Sequence, residues 1–130
     1  MAPPHRALIA VTSAQALLPD GHTTGVFIGE ALHPYNVFKA AGYEVDIVSE
    51  EGKWTADWLS LQPGFLTEEE RKQYDDLNSD FRSELERRKK AADVDASKVC
   101  TVHISLSLLF FFFSSLFSSF FLNDGDALVG

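Results

Sequence analysis

The chain has 130 residues, of which 45% are hydrophobic and 23% are charged, a composition typical of one small globular domain. Its formal net charge of −8 argues against nucleic-acid binding, because a phosphate backbone attracts basic surfaces. The single cysteine, Cys100, excludes an internal disulfide framework.

The first half of the chain has the pattern of a strand, a helix and a second strand. Residues 7–12 form a short apolar run, typical of a strand buried on both faces of a parallel sheet and not of a secretion signal. A helical pattern covers about residues 30–41, and Gly42 is a good stop for it. Its expected apolar side consists of Leu32, Val37, Phe38 and Ala41. Residues 43–48 alternate apolar and charged positions and predict a second, less buried strand, so a right-handed βαβ unit follows.

Two further helices are predicted after an irregular, aromatic-rich segment that begins near Gly52. Thr67 and Glu70 have the spacing of a capping box and predict a helix to about residue 77. Residues 80–90 predict another helix, in which Phe81 and Leu85 share one side. Favourable exposed ion pairs are expected within it, between Glu84 and Arg88 and between Glu86 and Lys90.

The composition changes abruptly near residue 99. Residues 99–123 contain no Asp, Glu, Lys or Arg, and residues 105–122 consist only of Leu, Phe and Ser. Seven of the eleven phenylalanines lie in this stretch. We therefore divide the chain into an α/β part, residues 1–98, and a hydrophobic tail, residues 99–130, which is expected to be helical.

Several motifs in the first part resemble one known family. They are Asp20-Gly21, Thr24-Gly25, the run Glu30-Ala31-Leu32-His33-Pro34-Tyr35, residues 42–50 and the loop at residues 93–98. Residues 6–98 thereby resemble the N-terminal part of the glutathione-independent glyoxalase III, or D-lactate dehydratase, family. This is the fungal heat-shock branch of the PfpI-type superfamily, which is similar in fold to class I glutamine amidotransferase domains. The resemblance implies a truncated flavodoxin-like, three-layer α/β domain and a stress-responsive, cytoplasmic protein.

The resemblance also implies a chemistry. Members of the family convert methylglyoxal, a small 2-oxoaldehyde, to D-lactate without glutathione, a metal or another cofactor. They use a cysteine on a strand-to-helix elbow, a histidine that follows it, and a glutamate near the first crossover. Glu30 is the counterpart of that glutamate, whereas the cysteine and the histidine have no counterpart here. From the residues alone, Glu30 is also explained as a glutamate favoured by a helix N-terminus.

Other reactive side chains have no such assignment. Cys100 lacks the Cys-His-Gly context of the elbow and is interpreted as incidental. His33 belongs to the resembling motif, but we expect its role to be structural. The spacing of the histidines matches no ligand set, so no metal site is predicted; they are His5, His22, His33 and His103. The expected result is a glyoxalase III-like chain without turnover, and the resemblance leaves a homodimer open.

The tail admits three interpretations. Phe, Leu and Ser can all be encoded by pyrimidine-only codons, so the leading hypothesis is a translated intron or an incorrect gene model. The alternative is a tail anchor: residues 102–122 are long enough to span a bilayer, with basic residues before them and acidic residues after them. The third is an ordinary buried element. Without a strand from this tail, the first strand would keep an open edge and favour a non-catalytic or chaperone-like protein.

Overall fold

The computed structural model describes residues 4–104, which form an α/β arrangement around a parallel sheet. In chain order the elements are β1 (Arg6–Val11), β2 (Ala16–Leu17), β3 (Thr23–Thr24), α1 (Ile28–Ala40), β4 (Glu44–Ser49), α2 (Glu68–Asp75), α3 (Asp80–Glu86), β5 (Lys89–Lys90) and β6 (Thr101–Ile104). The main sheet has the order β5-β4-β1-β6, and β2 and β3 form a small antiparallel hairpin. The predicted βαβ unit is therefore confirmed as β1-α1-β4.

Strand β1 lies inside the sheet and contacts two parallel neighbours. It pairs with β4 along its whole length and with β6 from Ala7 to Ala10. Residues 7–11 are all buried, as an apolar run inside a two-sided sheet requires. The open edge that β1 would have without a strand from the tail is not formed, because residues 101–104 supply that strand. The remainder of the predicted tail, with its expected helix, lies outside the described residues.

The two faces of the sheet are covered differently. On one face, Ile9 and Ile47 pack with side chains of all three helices, among them Leu32, Tyr74 and Phe81. On the other face, Leu8, Ala10 and Val48 form a smaller buried cluster. Its half-buried neighbours are Val94, Val99 and Val102. Most of the described core therefore lies on the face that carries α1.

Helix α1 ends at the predicted glycine. Gly42 has a φ of +86°, and its N–H donates to Lys39 while the N–H of Tyr43 donates to Phe38. This is a Schellman motif, completed by contact between the Phe38 and Tyr43 rings, whose centroids are 5.4 Å apart. The predicted apolar side was partly wrong. Val37 is 67% exposed, because the buried stripe runs through earlier positions, Ile28, Ala31, Leu32 and Tyr35.

The capping box at Thr67 is confirmed, and it starts α2 at Glu68. Helix α3 has the predicted buried pair Phe81 and Leu85, but it ends at Glu86 instead of near residue 90. Lys89 and Lys90 pair with β4 as a short strand, so tertiary pairing overrides the helical pattern. The expected ion pairs are consequently wrong. Those formed are Arg82–Glu86 and Glu84–Arg87.

Candidate functional site

Glu30 lies in the first turn of α1, at the end of the sheet where the parallel strands finish. The C-terminal end of α1 lies beside the start of β1, since the N–H of Glu44 donates to His5. The helix therefore begins near the carboxyl edge, where open α/β sheets usually bind ligands. Glu30 is half-buried, and its N–H donates to the carbonyl of Phe27 at 3.0 Å. The helix dipole favours a carboxylate at this position.

The segment before α1 is held by close backbone contact with residues 55–57. The N–H of Val26 donates to Thr55, and the N–H of Asp57 donates to Val26, at 2.7 and 2.8 Å. A Cβ on Gly25 would lie 2.2 Å from the Thr55 carbonyl oxygen, so the approach requires glycine. This contact fixes the direction in which the chain enters α1, and with it the place of Glu30.

Two apolar side chains from the segment before α2 lie against the first turn of α1. The Phe27 and Phe65 rings meet edge to face, with centroids 5.3 Å apart. Leu66 approaches Gly29, where an added Cβ would lie 3.7 Å from the leucine methyl group. Phe65 remains 42% exposed. The turn that carries Glu30 is therefore bordered by an apolar wall that is open to solvent on one side.

His33 joins α1 to the capping box of α2. Its Nε2 lies 2.9 Å from Oε1 of Glu70. The other oxygen of Glu70 accepts from the N–H of Thr67 at 2.8 Å, while the Thr67 hydroxyl oxygen accepts from the N–H of Glu70. One carboxylate thus serves both the helix cap and the contact with α1, in agreement with the structural role expected for His33.

Cys100 lies at the opposite end of the sheet. Its N–H donates to the carbonyl of Arg6, at the start of β1, and its Sγ is 3.5 Å from Nδ1 of His5. The thiol is exposed. Glu30 is ten residues before the end of α1 at Ala40, about 15 Å along the helix axis. The carboxyl group and the thiol are therefore not part of one site.

A polar cleft of about 360 Å³ also lies away from Glu30. It is lined by Arg6, Tyr35, Lys39, Glu44, Val45, Asp46, Asp80, Glu84 and Arg87. Its charges largely pair with one another: Arg6 contacts both Glu44 and Asp46, and Arg87 contacts Glu84. Desolvation, followed by the charges of Asp80 and Glu84, raises the pKa of Tyr35 to about 12.

Within residues 4–104, no group of three or more His, Cys, Asp or Glu side chains is arranged to hold a metal ion. The same described part of the chain contains no helix long and apolar enough to cross a membrane. Most of the proposed anchor, residues 102–122, lies outside that part.

No protein-family model matches the chain, but individual relatives do. It is 43% identical over 91 residues to "Glyoxalase 3" of Candida albicans, covering 69% of this chain and 39% of that protein. It is 42% identical over 94 residues to "Glutathione-independent glyoxalase HSP31" of Saccharomyces cerevisiae, covering 72% of this chain and 40% of that protein. The crystal structure of glyoxalase III from C. albicans superposes with a TM-score of 0.71 and 39% identity, over 75% of this chain and 41% of that chain.

The chain is a relative of the glutathione-independent glyoxalases. It spans about two fifths of the length of the relatives it matches. The parallel sheet with α1 packed on β1 and β4 is the flavodoxin-like fold of these glyoxalases. The family resemblance found in residues 6–98 is thereby confirmed.

Parts of the candidate site were not predicted from the sequence. The sequence motifs identified Glu30 and the Thr67–Glu70 box, but not the contact of His33 with Glu70 or the Phe27–Phe65 pair. The spacing of three between Glu30 and His33 indicated a shared helix face, which is a usable signal. Nothing in the sequence pairs Gly25 with Thr55, because that contact joins two irregular segments 30 positions apart.

Proposed function

We propose that residues 6–98 supply the carboxyl side of an active site for a small 2-oxoaldehyde, and that Glu30 is its proton-transferring group. The reaction is the glutathione-independent conversion of methylglyoxal to D-lactate. The observation that carries this proposal is the position of Glu30: half-buried, in the first turn of α1, at the ligand-binding edge of a glyoxalase-related fold.

The chemistry needs two groups that act in succession. A thiolate adds to the aldehyde carbon and forms a hemithioacetal. A proton then moves from that carbon to the neighbouring carbonyl carbon, by way of an enediol, and hydrolysis of the resulting thioester releases lactate. A half-buried carboxyl within hydrogen-bond reach of the substrate can accept and return this proton, and Glu30 has that role. The apolar wall of Phe27, Phe65 and Leu66 limits water at the same edge.

We expect the 130 residues by themselves not to consume methylglyoxal. Their one thiol, Cys100, lies at the amino edge of the sheet, about 15 Å or more from the turn that carries Glu30. Proton transfer without covalent capture leaves the first step without a nucleophile. A lactate-forming rate in a verified preparation of this chain would contradict the proposed division of roles.

A chimera tests the role of Glu30 directly. Residues 1–98 replace the corresponding part of C. albicans glyoxalase 3, and methylglyoxal consumption is followed with D-lactate formation. Glu30→Gln should lower the rate by about a hundredfold or more, the usual contribution of a positioned acid or base. Glu69→Gln, on the exposed start of α2, is the matched control and should leave the rate unchanged. Full turnover by a folded Glu30→Gln chimera would refute the proposal.

A non-catalytic role is the second candidate, favoured by a group of exposed apolar side chains. The group combines the β2-β3 hairpin with the adjacent segment, since the N–H of Trp58 donates to Thr23. Its members are Leu17, Leu18, Trp58 and Leu59. A chaperone-like or tail-anchored protein would use such a surface for contacts. Carbonate extraction of membranes distinguishes these two roles. A tail-anchored chain stays with the membranes, while a chaperone-like cytoplasmic chain is released.

A further inference from the structure

We propose that His33 and Glu70 position the turn that carries Glu30, by tying the start of α2 to the first two turns of α1. Both are positioning residues that act through the backbone and the apolar wall. The inference relies on the proposed function only for the role of Glu30. The contact itself is measurable without any substrate.

The first step of the argument is the geometry of the shared carboxylate. Oε1 of Glu70 faces Nε2 of His33 at 2.9 Å, and Oε2 accepts from the N–H of Thr67 at 2.8 Å. The capping box holds the Glu70 side chain in place, so the carboxylate does not have to be ordered separately to meet the imidazole. Glu70 is also largely buried for an acidic residue, with 21% of its side chain exposed.

The second step concerns what this contact holds. His33 lies directly over Gly29, where an added Cβ would be 3.4 Å from its Cε1. Leu66 approaches the same glycine, and Phe65 contacts Phe27. Residues 65–70 thus contact the start of α1 on both sides of Glu30 in sequence: at Phe27 and Gly29 before it, and at His33 after it. Loss of the His33–Glu70 contact leaves the apolar contacts, and the paired hydrogen bonds between Asn36 and Gln73 further along both helices, to hold α2 against α1.

The third step is why the first turn needs such support. Phe27 at the N-cap makes no side-chain hydrogen bond to the helix, so the opening turn of α1 has no polar cap. Pro34, inside the helix, has no backbone N–H to donate. Contacts from α2 therefore supplement those that α1 makes by itself in its first two turns.

Hydrogen exchange of the full 130-residue chain tests the His33–Glu70 contact, and the two variants that remove it are called the tie variants. His33→Leu removes the donor but keeps an apolar contact for Leu66. Glu70→Gln keeps the capping box, because Gln serves at the same position. Both variants should speed amide exchange of residues 30–32 about two- to fivefold, the effect on local opening of losing one partly exposed polar contact. The double variant should exchange no faster than either single one, because the two residues make one contact.

Two controls give the test its specificity. Glu68→Gln removes a charge from the same turn of α2, but the partner of Glu68 is Lys72 on the same helix, so residues 30–32 should be unaffected. The amides of Ile9 and Ile47 report global unfolding. They should speed by no more than the same factor in any variant, because the loss of one native contact lowers the free energy of unfolding by that amount. The ¹³C carboxyl resonance of Glu30 should titrate at a shifted pH in both tie variants but not in Glu68→Gln.

Two results would overturn the inference. One is unchanged exchange at residues 30–32 together with an unchanged Glu30 titration in both tie variants. The other is faster exchange of Ile9 and Ile47 with unchanged exchange at residues 30–32, which would mean that the contact stabilises the fold without positioning the turn. Neither result depends on the chimera. Conversely, an active Glu30→Gln chimera would remove the proposed function and leave the exchange result standing.

Discussion

The two ends of the central sheet are built on different principles. At the amino edge, charged side chains neutralise one another: Arg6 contacts Glu44 and Asp46, and Lys89 also contacts Asp46. At the carboxyl edge, a half-buried glutamate lies beside an aromatic pair, and the backbone approaches itself closely at Gly25. Parallel strands place all their carboxyl ends together, so loops that follow them can converge on a ligand. This difference is the reason why we propose Glu30, and not Cys100, as the reactive group.

The largest expected effect compares a glycine at each edge. In Gly25→Ala the new methyl group would meet the Thr55 carbonyl at 2.2 Å, so the backbone must move, and we expect a loss of about 3 kcal/mol in the free energy of unfolding. In Gly42→Ala there is open space, and the cost is only that of a left-handed conformation, about 1 kcal/mol. Urea unfolding measures both. Equal losses would show that the carboxyl edge tolerates movement and is not tightly packed.

The next largest effect is a loss of stability at high pH that comes from Tyr35, in the cleft near the amino edge. Burial raises the pKa of Tyr35 to about 12 from an ordinary value near 10. Between pH 10 and 12 the unfolded chain has lost the phenolic proton that the folded chain keeps, so the free energy of unfolding falls as the pH rises. The contribution of Tyr35 to this fall is roughly 2 kcal/mol. Tyr35→Phe removes it.

Thermal or urea unfolding of both proteins across that pH range checks the Tyr35 prediction. The variant should lose less stability than the wild type between pH 10 and 12, and the two should differ by a constant amount below pH 9. Parallel curves above pH 10 would mean that the Tyr35 hydroxyl is solvated in the cleft.

Local signals predicted much of this fold because they are carried by neighbouring residues. The apolar run at residues 7–11, the stop at Gly42 and the cap at Thr67 are each signalled by residues within a few positions of one another. The long-range pairings of β5 and β6 had no such local signal. Lys89 and Lys90 leave the helical pattern because β4 offers backbone partners, and residues 101–104 pair with β1 despite their place in the predicted tail.

The same distinction holds for the candidate site. Glu30 was identified through the family resemblance, since a glutamate at a helix start is otherwise explained by the dipole alone. The residues around it required the tertiary structure: Phe65 and Glu70 come from a segment more than 30 positions later. The boundary between residues 98 and 99 stays a prediction. Although the composition changes there, residues 101–104 still pair with β1 in the main sheet.

A smaller effect is expected for the helix cap at the carboxyl edge. Thr67→Ala removes the oxygen that accepts from the N–H of Glu70 and should cost about 1 kcal/mol of unfolding free energy. Thr67→Ser keeps the acceptor and should cost much less. Because Glu70 also meets His33, the alanine variant should additionally speed amide exchange at residues 30–32. Equal stability of the two variants would show that the cap contributes nothing to this edge.

The smallest effect is expected at the amino edge, and it decides whether the two ends act independently. Cys100→Ser should change the free energy of unfolding by less than about 0.5 kcal/mol, because the thiol is exposed and its polar neighbour within residues 4–104, His5, is exposed too. Alkylation of Cys100 with iodoacetamide should leave the pH titration of Glu30 unchanged, since the two groups lie at opposite ends of α1 and β1. A Glu30 titration that moves on alkylation would connect the two ends. The thiol would then have to lie within reach of the Glu30 carboxyl group. The carboxyl edge that carries Glu30 and the amino edge with its paired charges could then no longer be treated as separate sites.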